Sequence, residues 1–146
     1  MKLFHLSALV AFTCILTACS SEPVRKVHPS TASIQQLAVQ ADGSWKITLR
    51  IQNFSTMSMH YSAFDAKFQV AGVDAGQITL TPDLDIVGNS GDVIEATLRP
   101  STKIPVSGNF AYQLTGTINT SEPRAQFKID VSSRLSPVPG VPHTFR

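Results

Sequence analysis

Residues 45–68 read WKITLRIQNFSTMSMHYSAFDAKF, and the stretch changes character halfway. Trp45, Ile47, Leu49 and Ile51 are apolar, and Lys46, Thr48, Arg50 and Gln52 between them are polar. A period of two marks a strand with one face in a core and the other in water. After Asn53 the order breaks into Phe54-Ser55-Thr56-Met57-Ser58-Met59-His60, and alternation returns at Phe64. Asparagine tolerates left-handed backbone and bonds nearby backbone through its side chain, which suits Asn53 to a strand exit. The break therefore reads as a corner between two strands.

The same period runs through nearly all of the chain from Ile34 onward. Leu37, Val39 and Ala41 alternate before Asp42-Gly43, a hairpin turn signal. Phe64, Ala66, Phe68 and Val70 form one face, and Ile78 and Leu80 another before Pro82 ends the run. Ile94, Ala96 and Leu98 follow, then Tyr112, Leu114, Gly116 and Ile118, then Ala125, Phe127, Ile129 and Val131. No later stretch carries a helical apolar stripe. The expected fold is all-β, an antiparallel immunoglobulin-like β-sandwich of about seven strands with at most one short helix. Trp45, Leu49, Phe68, Leu114 and Phe127 sit at inward phases and are expected to share one core. After Leu135, Ser-Pro-Val-Pro-Gly-Val-Pro forbids a central strand and points to an extended tail over residues 136–146.

The amino terminus carries a different signal. Lys2 gives a short basic start, and Leu6 to Ala18 is mostly apolar. An apolar region of about 7–15 residues after a basic start describes a secretory signal peptide, whereas a spanning helix needs about 20. The segment closes on Leu16-Thr17-Ala18-Cys19, which resembles the bacterial lipobox, in which lipid is attached to the cysteine and the preceding peptide is removed. Residues 1–18 are thus expected to leave, with Cys19 as the lipidation site. Ser20, rather than Asp, after the cysteine implies outer-membrane delivery by resemblance to the enteric sorting rule, with the domain facing the periplasm. Of the two cysteines, Cys14 leaves with the leader and Cys19 carries lipid, so no disulfide forms within the mature chain.

Residues 19–33 lack periodicity and read as a lipidated flexible tether, with a typical reach of roughly 20 Å at about 5–6 Å × √n. Arg25, Lys26 and His28 lie either against anionic headgroups, each basic residue contributing about 1 kcal/mol there, or simply in solvent. The folded domain is expected over residues 34–135. Loss of Lys2 with the leader takes the formal net charge from +2 to +1. Nucleic-acid binding needs a basic stripe, and none is present.

Chemistry is sparse. Gly88-Asn89-Ser90-Gly91-Asp92 superficially resembles the nucleophile segment of chymotrypsin-like proteases, but the chain is far too short for that fold and places no base near the serine. Asp83-Leu84-Asp85 opens like a calcium loop, yet Val87 and Ile94 stand where oxygen ligands are required, so Asp83, Asp85 and Asp92 read as turn and strand-edge aspartates. His28, His60 and His143 are too scattered for zinc-ligand spacing. The expectation is no catalytic residue, no metal and no cofactor. The candidate partner-binding patch is the apolar set Phe54, Met57, Met59 and Tyr61 at the corner. Met57 and Met59 share one side of an extended stretch, and read either as packing or as an exposed surface for a partner.

The order of these features resembles a known family. A strand with Asn53-x-Ser55 at its end, an apolar Tyr-bearing second strand, a Gly, a short strand, and Tyr112-Gln-Leu-Thr-Gly116-Thr-Ile resemble the group-2 late embryogenesis abundant domain, also called the water-stress and hypersensitive-response domain. The resemblance covers roughly residues 33–134. The family's first long strand usually ends in Asn-Pro, and here Phe54 follows Asn53. It implies a seven-stranded sandwich linked to stress and desiccation tolerance, without established catalytic residues. The resulting expectation is a non-catalytic protein of the bacterial envelope, bound to the membrane through Cys19 and protecting proteins or membranes by contact. The alternative is an accessory binding subunit of an envelope assembly or transport complex.

Overall fold

The computed structural model describes Glu22 and residues 24–146; the expected lipidation site, Cys19, lies outside the described residues. Nine strands follow in chain order: β1 (Thr31–Val39), β2 (Trp45–Asn53), β3 (Met59–Val70), β4 (Val73–Leu80), β5 (Leu84–Ile86), β6 (Ser90–Leu98), β7 (Phe110–Glu122), β8 (Arg124–Leu135) and β9 (Thr144–Phe145). One sheet has the order β6-β2-β1-β9, and the other β4-β3-β7-β8 with β5 also paired to β3. All pairings are antiparallel. The chain is an all-β sandwich, and no helix occurs among the described residues. The stretch Phe54–Ser58 carries the chain from β2 in the first sheet to β3 in the second, so the break in alternation is a corner between sheets.

The five residues expected in the core are all buried and belong to one apolar cluster between the sheets. Phe68 is its aromatic centre, edge-on to Trp45 at 6.1 Å and to Tyr112 at 6.2 Å between ring centroids. Leu49→Ala and Leu114→Ala are each expected to cost about 3 kcal/mol on chemical denaturation, because each leaves a cavity in a close-packed interior. Lys46→Ala and Lys128→Ala, on the opposite phases, should stay within about 0.5 kcal/mol. The Lys46–Glu95 pair at 3.0 Å is solvated on both sides and changes this little. Equal losses in both sets would mean that this assignment of faces is wrong.

Three expectations are corrected. Alternation returns at Met59 rather than Phe64: Met59 and Tyr61 point inward, and register shifts between His60 and Ala63 then move the inward phase to Phe64, Ala66, Phe68 and Val70. A bulge changes phase without ending the strand, which is why the sequence looked irregular. The tether boundary also moves. Strand β1 begins at Thr31 and pairs Gln52, and the backbone of residues 24–30 is bonded to the corner, so this part of the 19–33 segment belongs to the domain.

The 136–146 tail likewise folds back. Ser136 and Arg146 exchange backbone hydrogen bonds of 2.6 and 2.9 Å, and Val138 N–H donates to Thr144 O at 2.9 Å. Thr144 and Phe145 thereby reach β1 as a short edge strand, and Phe145 is buried against Phe110 at 5.0 Å between centroids. Proline is tolerated there because an edge needs few donors, and one buried phenyl ring holds the segment.

Candidate functional site

The corner is organised by Asn53, which is fully buried. Its amide nitrogen donates to Met57 O at 3.0 Å and Ile86 O at 2.9 Å, with Val87 O at 3.3 Å beside them. Its carbonyl oxygen accepts from Ser55 N–H at 2.9 Å. One side chain thus ties the end of β2, the corner and the end of β5 together. Buried backbone groups require such partners, and a corner leaves them without a ladder. Asn89 N–H donates to Ser55 O at 3.0 Å, so the turn before β6 joins the same knot.

Residues 24–30 cross this knot as a strap. Thr56 Oγ1 donates to Val24 O at 2.6 Å and accepts from Lys26 N–H at 2.9 Å, and Thr56 N–H donates to Lys26 O at 3.0 Å. His28 N–H donates to Ser55 Oγ at 2.9 Å, and Ser30 Oγ lies 2.7 Å from the Tyr61 hydroxyl. Burial pushes the Tyr61 phenol up in pKa, while its Ser30 partner opposes that in part. Tyr61 is therefore a buried anchor for the strap.

Beside the strap, His60 lies between two carboxylates. Its Nδ1 is 2.8 Å from Asp85 Oδ1, across the β3–β5 pair, and its Nε2 is 3.1 Å from Asp83 Oδ1. A neutral imidazole has one N–H, so both contacts are satisfied as hydrogen bonds only by the imidazolium. The hydrogen bond to Asp85 foremost, with the charges of Asp85 and Asp83, holds the His60 pKa above its ordinary value against a smaller opposing effect of desolvation. His60 and Asp85, with Arg25, Met57 and Glu122, border an open depression of about 500 Å³.

A raised folded-state pKa stabilises the fold fully below the unfolded value of about 6.5, and that contribution is lost as pH rises through the folded value. The denaturant midpoint of the wild type is therefore expected to fall between about pH 6 and about pH 8. His60→Gln should shrink that fall. An unchanged fall would remove His60 as its source.

The proposed patch separates into two parts. Phe54 is 48% exposed and Met57 is half-buried, whereas Met59 and Tyr61 are fully buried core residues. Met59 and Tyr61 are thus not available to a partner, because both take the inward phase at the start of β3. Asp83 and Asp85 face His60 instead of a common cation, and Asp92 Oδ1 accepts from Val93 N–H at 2.7 Å. Among the described residues no group of three or more His, Cys, Asp or Glu side chains is placed to hold a metal ion. Ser90 begins β6 opposite Asn53, and Asn89 before it takes the left-handed conformation of a turn.

Sequence reasoning missed the strap and the histidine–aspartate cluster. The available signal was Ser55-Thr56 beside an asparagine already assigned to a turn. Hydroxyls at a corner are natural partners for extended backbone.

No family model matches the chain, and no curated protein matches it. Two solved structures are similar in outline. The solution structure of AT1g01470 from Arabidopsis thaliana is 14% identical, with a TM-score of 0.49 over 77% of this chain and 78% of that one. The crystal structure of a protein from Archaeoglobus fulgidus is 11% identical, with a TM-score of 0.43 over 77% of this chain and 98% of that one. The sandwich rests on its own strand pairing, and neither likeness adds to it.

Proposed function

We propose that this protein is a non-catalytic, lipid-anchored component of the bacterial envelope, held through Cys19 at the outer membrane facing the periplasm. There it protects proteins or membranes by stoichiometric contact during drying or osmotic stress. The observation that carries the reading is the course of the strap. Val24 follows Cys19 by five positions and is already bonded to the corner, so a lipid on Cys19 would hold the whole sandwich at the bilayer on a short leash. The lipobox-like Leu16–Cys19 segment supports the anchor, and the resemblance to the late embryogenesis abundant domain supports the stress role.

Cys19→Ala is expected to release the chain from membranes and to remove the lipid mass seen in the wild type. Protection of a dried reporter enzyme should rise in proportion to added protein. A wild-type chain that is soluble and unlipidated would defeat the anchor, and protection by traces of protein would defeat the stoichiometric mechanism.

A second reading is favoured by β8. This strand of 12 residues forms one edge of its sheet, with no strand on its outer side among the described residues. Unpaired N–H and C=O groups there suit addition of a partner's strand, as in an accessory subunit of an envelope complex. Photocrosslinking from Gln126 or Lys128 to a second envelope protein, without loss of drying tolerance in a deletion strain, would favour it.

A further inference from the structure

Seven large apolar side chains are notably exposed among the described residues, and four of them, Val24, Val27, Phe54 and Val87, lie at the pole around the corner. Val24 accepts the Thr56 hydroxyl bond through its carbonyl, and Val27 lies between Lys26 and His28, whose N–H groups donate to Thr56 and Ser55. Val87 is held beside the same knot through its carbonyl contact with Asn53. Phe54 stands between Asn53 and Ser55, the two residues that lock the corner, so its ring is presented to solvent by a rigid support.

The chain itself says what covers this pole. Five positions of fully extended chain reach at most about 18 Å, so Val24 cannot lie farther than that from the Cys19 backbone. The acyl chains attached there would lie in the bilayer. We infer that the pole formed by Val24, Val27, Phe54 and Val87 rests on the lipid surface, with these side chains in the interfacial layer; the inference rests on the lipid-anchor reading above. The leash makes contact intramolecular, so an interaction too weak to capture a free protein suffices to orient a tethered one. Irregular backbone and aromatic rings are tolerated at the headgroup level, where water still reaches polar groups.

Charge is not the driving force. Arg25, Lys26 and Arg124 at this pole are offset by Glu22, Glu122, Asp83 and Asp85, two of which are occupied by His60. Orientation should therefore persist at high salt, unlike that of a polybasic surface. The opposite pole supplies the contrast. Val141 is 48% exposed near His143, whose carbonyl accepts from Val39 N–H at the far end of β1.

The test uses the full lipidated chain in phosphatidylethanolamine–phosphatidylglycerol vesicles whose acyl chains carry bromine, a short-range quencher of indole fluorescence. Phe54→Trp, Val87→Trp and Val141→Trp are compared after subtraction of the buried Trp45 signal seen in the wild type. Quenching several-fold stronger at positions 54 and 87 than at 141, unchanged by high salt, is the expected result. Should Phe54→Trp fail to fold, Val87→Trp on the exposed turn decides alone. Equal quenching at both poles, or none at the corner, in a chain that carries lipid overturns the docking and leaves the anchor reading standing. Absence of lipid from Cys19 overturns both. A crosslink from position 54 to another protein, with no quenching there, assigns the pole to a protein partner and overturns the lipid surface.

Discussion

Asn53→Asp is expected to leave the chain unfolded at neutral pH. The native amide donates to the carbonyls of Met57 and Ile86 and sits close to that of Val87, while its own oxygen accepts from Ser55 N–H. An aspartate keeps the acceptor and loses both donors, so an anionic oxygen faces carbonyl oxygens inside a fully buried corner. Each orphaned buried group costs about 1–3 kcal/mol, and an uncompensated buried charge about 3–5. With two carbonyls orphaned and one charge added, the combined loss of about 5–11 kcal/mol is comparable with the whole stability of an ordinary domain, about 5–15 kcal/mol. Asn53→Ala removes both donors and the acceptor, orphaning three groups, but adds no charge, and should lose about 3–9 kcal/mol, less than the aspartate by the part of the charge that nothing compensates.

The introduced carboxyl would have a folded pKa above its unfolded value, because only its protonated form donates. The variant should therefore regain stability relative to Asn53→Ala as pH falls toward about 4. Circular dichroism with denaturant titration at about pH 7 and about pH 4 measures both effects. Equal stability of the two variants at neutral pH would show that the corner admits enough water to satisfy these groups, and the account of Asn53 as its organiser would be wrong.

Long strands were legible because one face packs and the other is wet. Trp45 through Ile51 and Phe64 through Val70 show that pattern without help from their partners, and so the sandwich and its core could be read directly. Asn53 was legible as a corner residue because its chemistry is local. Strand β5 was not, because three residues are too few for a period, and β9 has only two. Their positions are set by what they pair with. Leu84–Ile86 pairs with Met59–Tyr61 at the start of β3, and Phe145 packs edge-on against Phe110. The cluster of His60 with Asp83 and Asp85 depends on that β5 pairing, so no spacing along the chain announces it. The strap is invisible for a different reason: its backbone bonds leave no imprint on the identity of Arg25, Lys26 or Val27. The bulge in β3 concealed Met59 and Tyr61 as core residues, since a change of phase looks like loss of pattern.

Gly116→Ala is expected to be among the most damaging single-methyl additions available, although adding a side chain to a strand glycine would ordinarily help by reducing backbone entropy in the unfolded chain. Gly116 lies in mid-strand on β7, opposite Ala66 on β3 and Ile129 on β8. A Cβ built there would meet the Asp65 carbonyl oxygen, come within 2.6 Å of Ala66 Cα and 2.9 Å of the Asp65 carbonyl carbon. Those atoms are backbone, so no rotamer change relieves the contact. The β3 and β7 chains must part at the middle of the central pair of their sheet, where Phe68 pairs with Leu114 two residues away. Overpacking absorbed by side chains costs about 1–3 kcal/mol, and one that opens a central ladder should exceed it, at about 4 kcal/mol or more. Thr115→Ala, one position earlier and outward, serves as the control and should stay within about 0.5 kcal/mol. Hydrogen exchange reads the mechanism separately from the total: the amides of Ala66, Phe68 and Leu114 should lose protection first, while those of β1 and β2 in the other sheet hold longer. A Gly116→Ala chain as stable as the Thr115→Ala control would mean that β3 and β7 are farther apart than this geometry requires, and that the glycine in the Tyr112–Ile118 segment is not there for close approach.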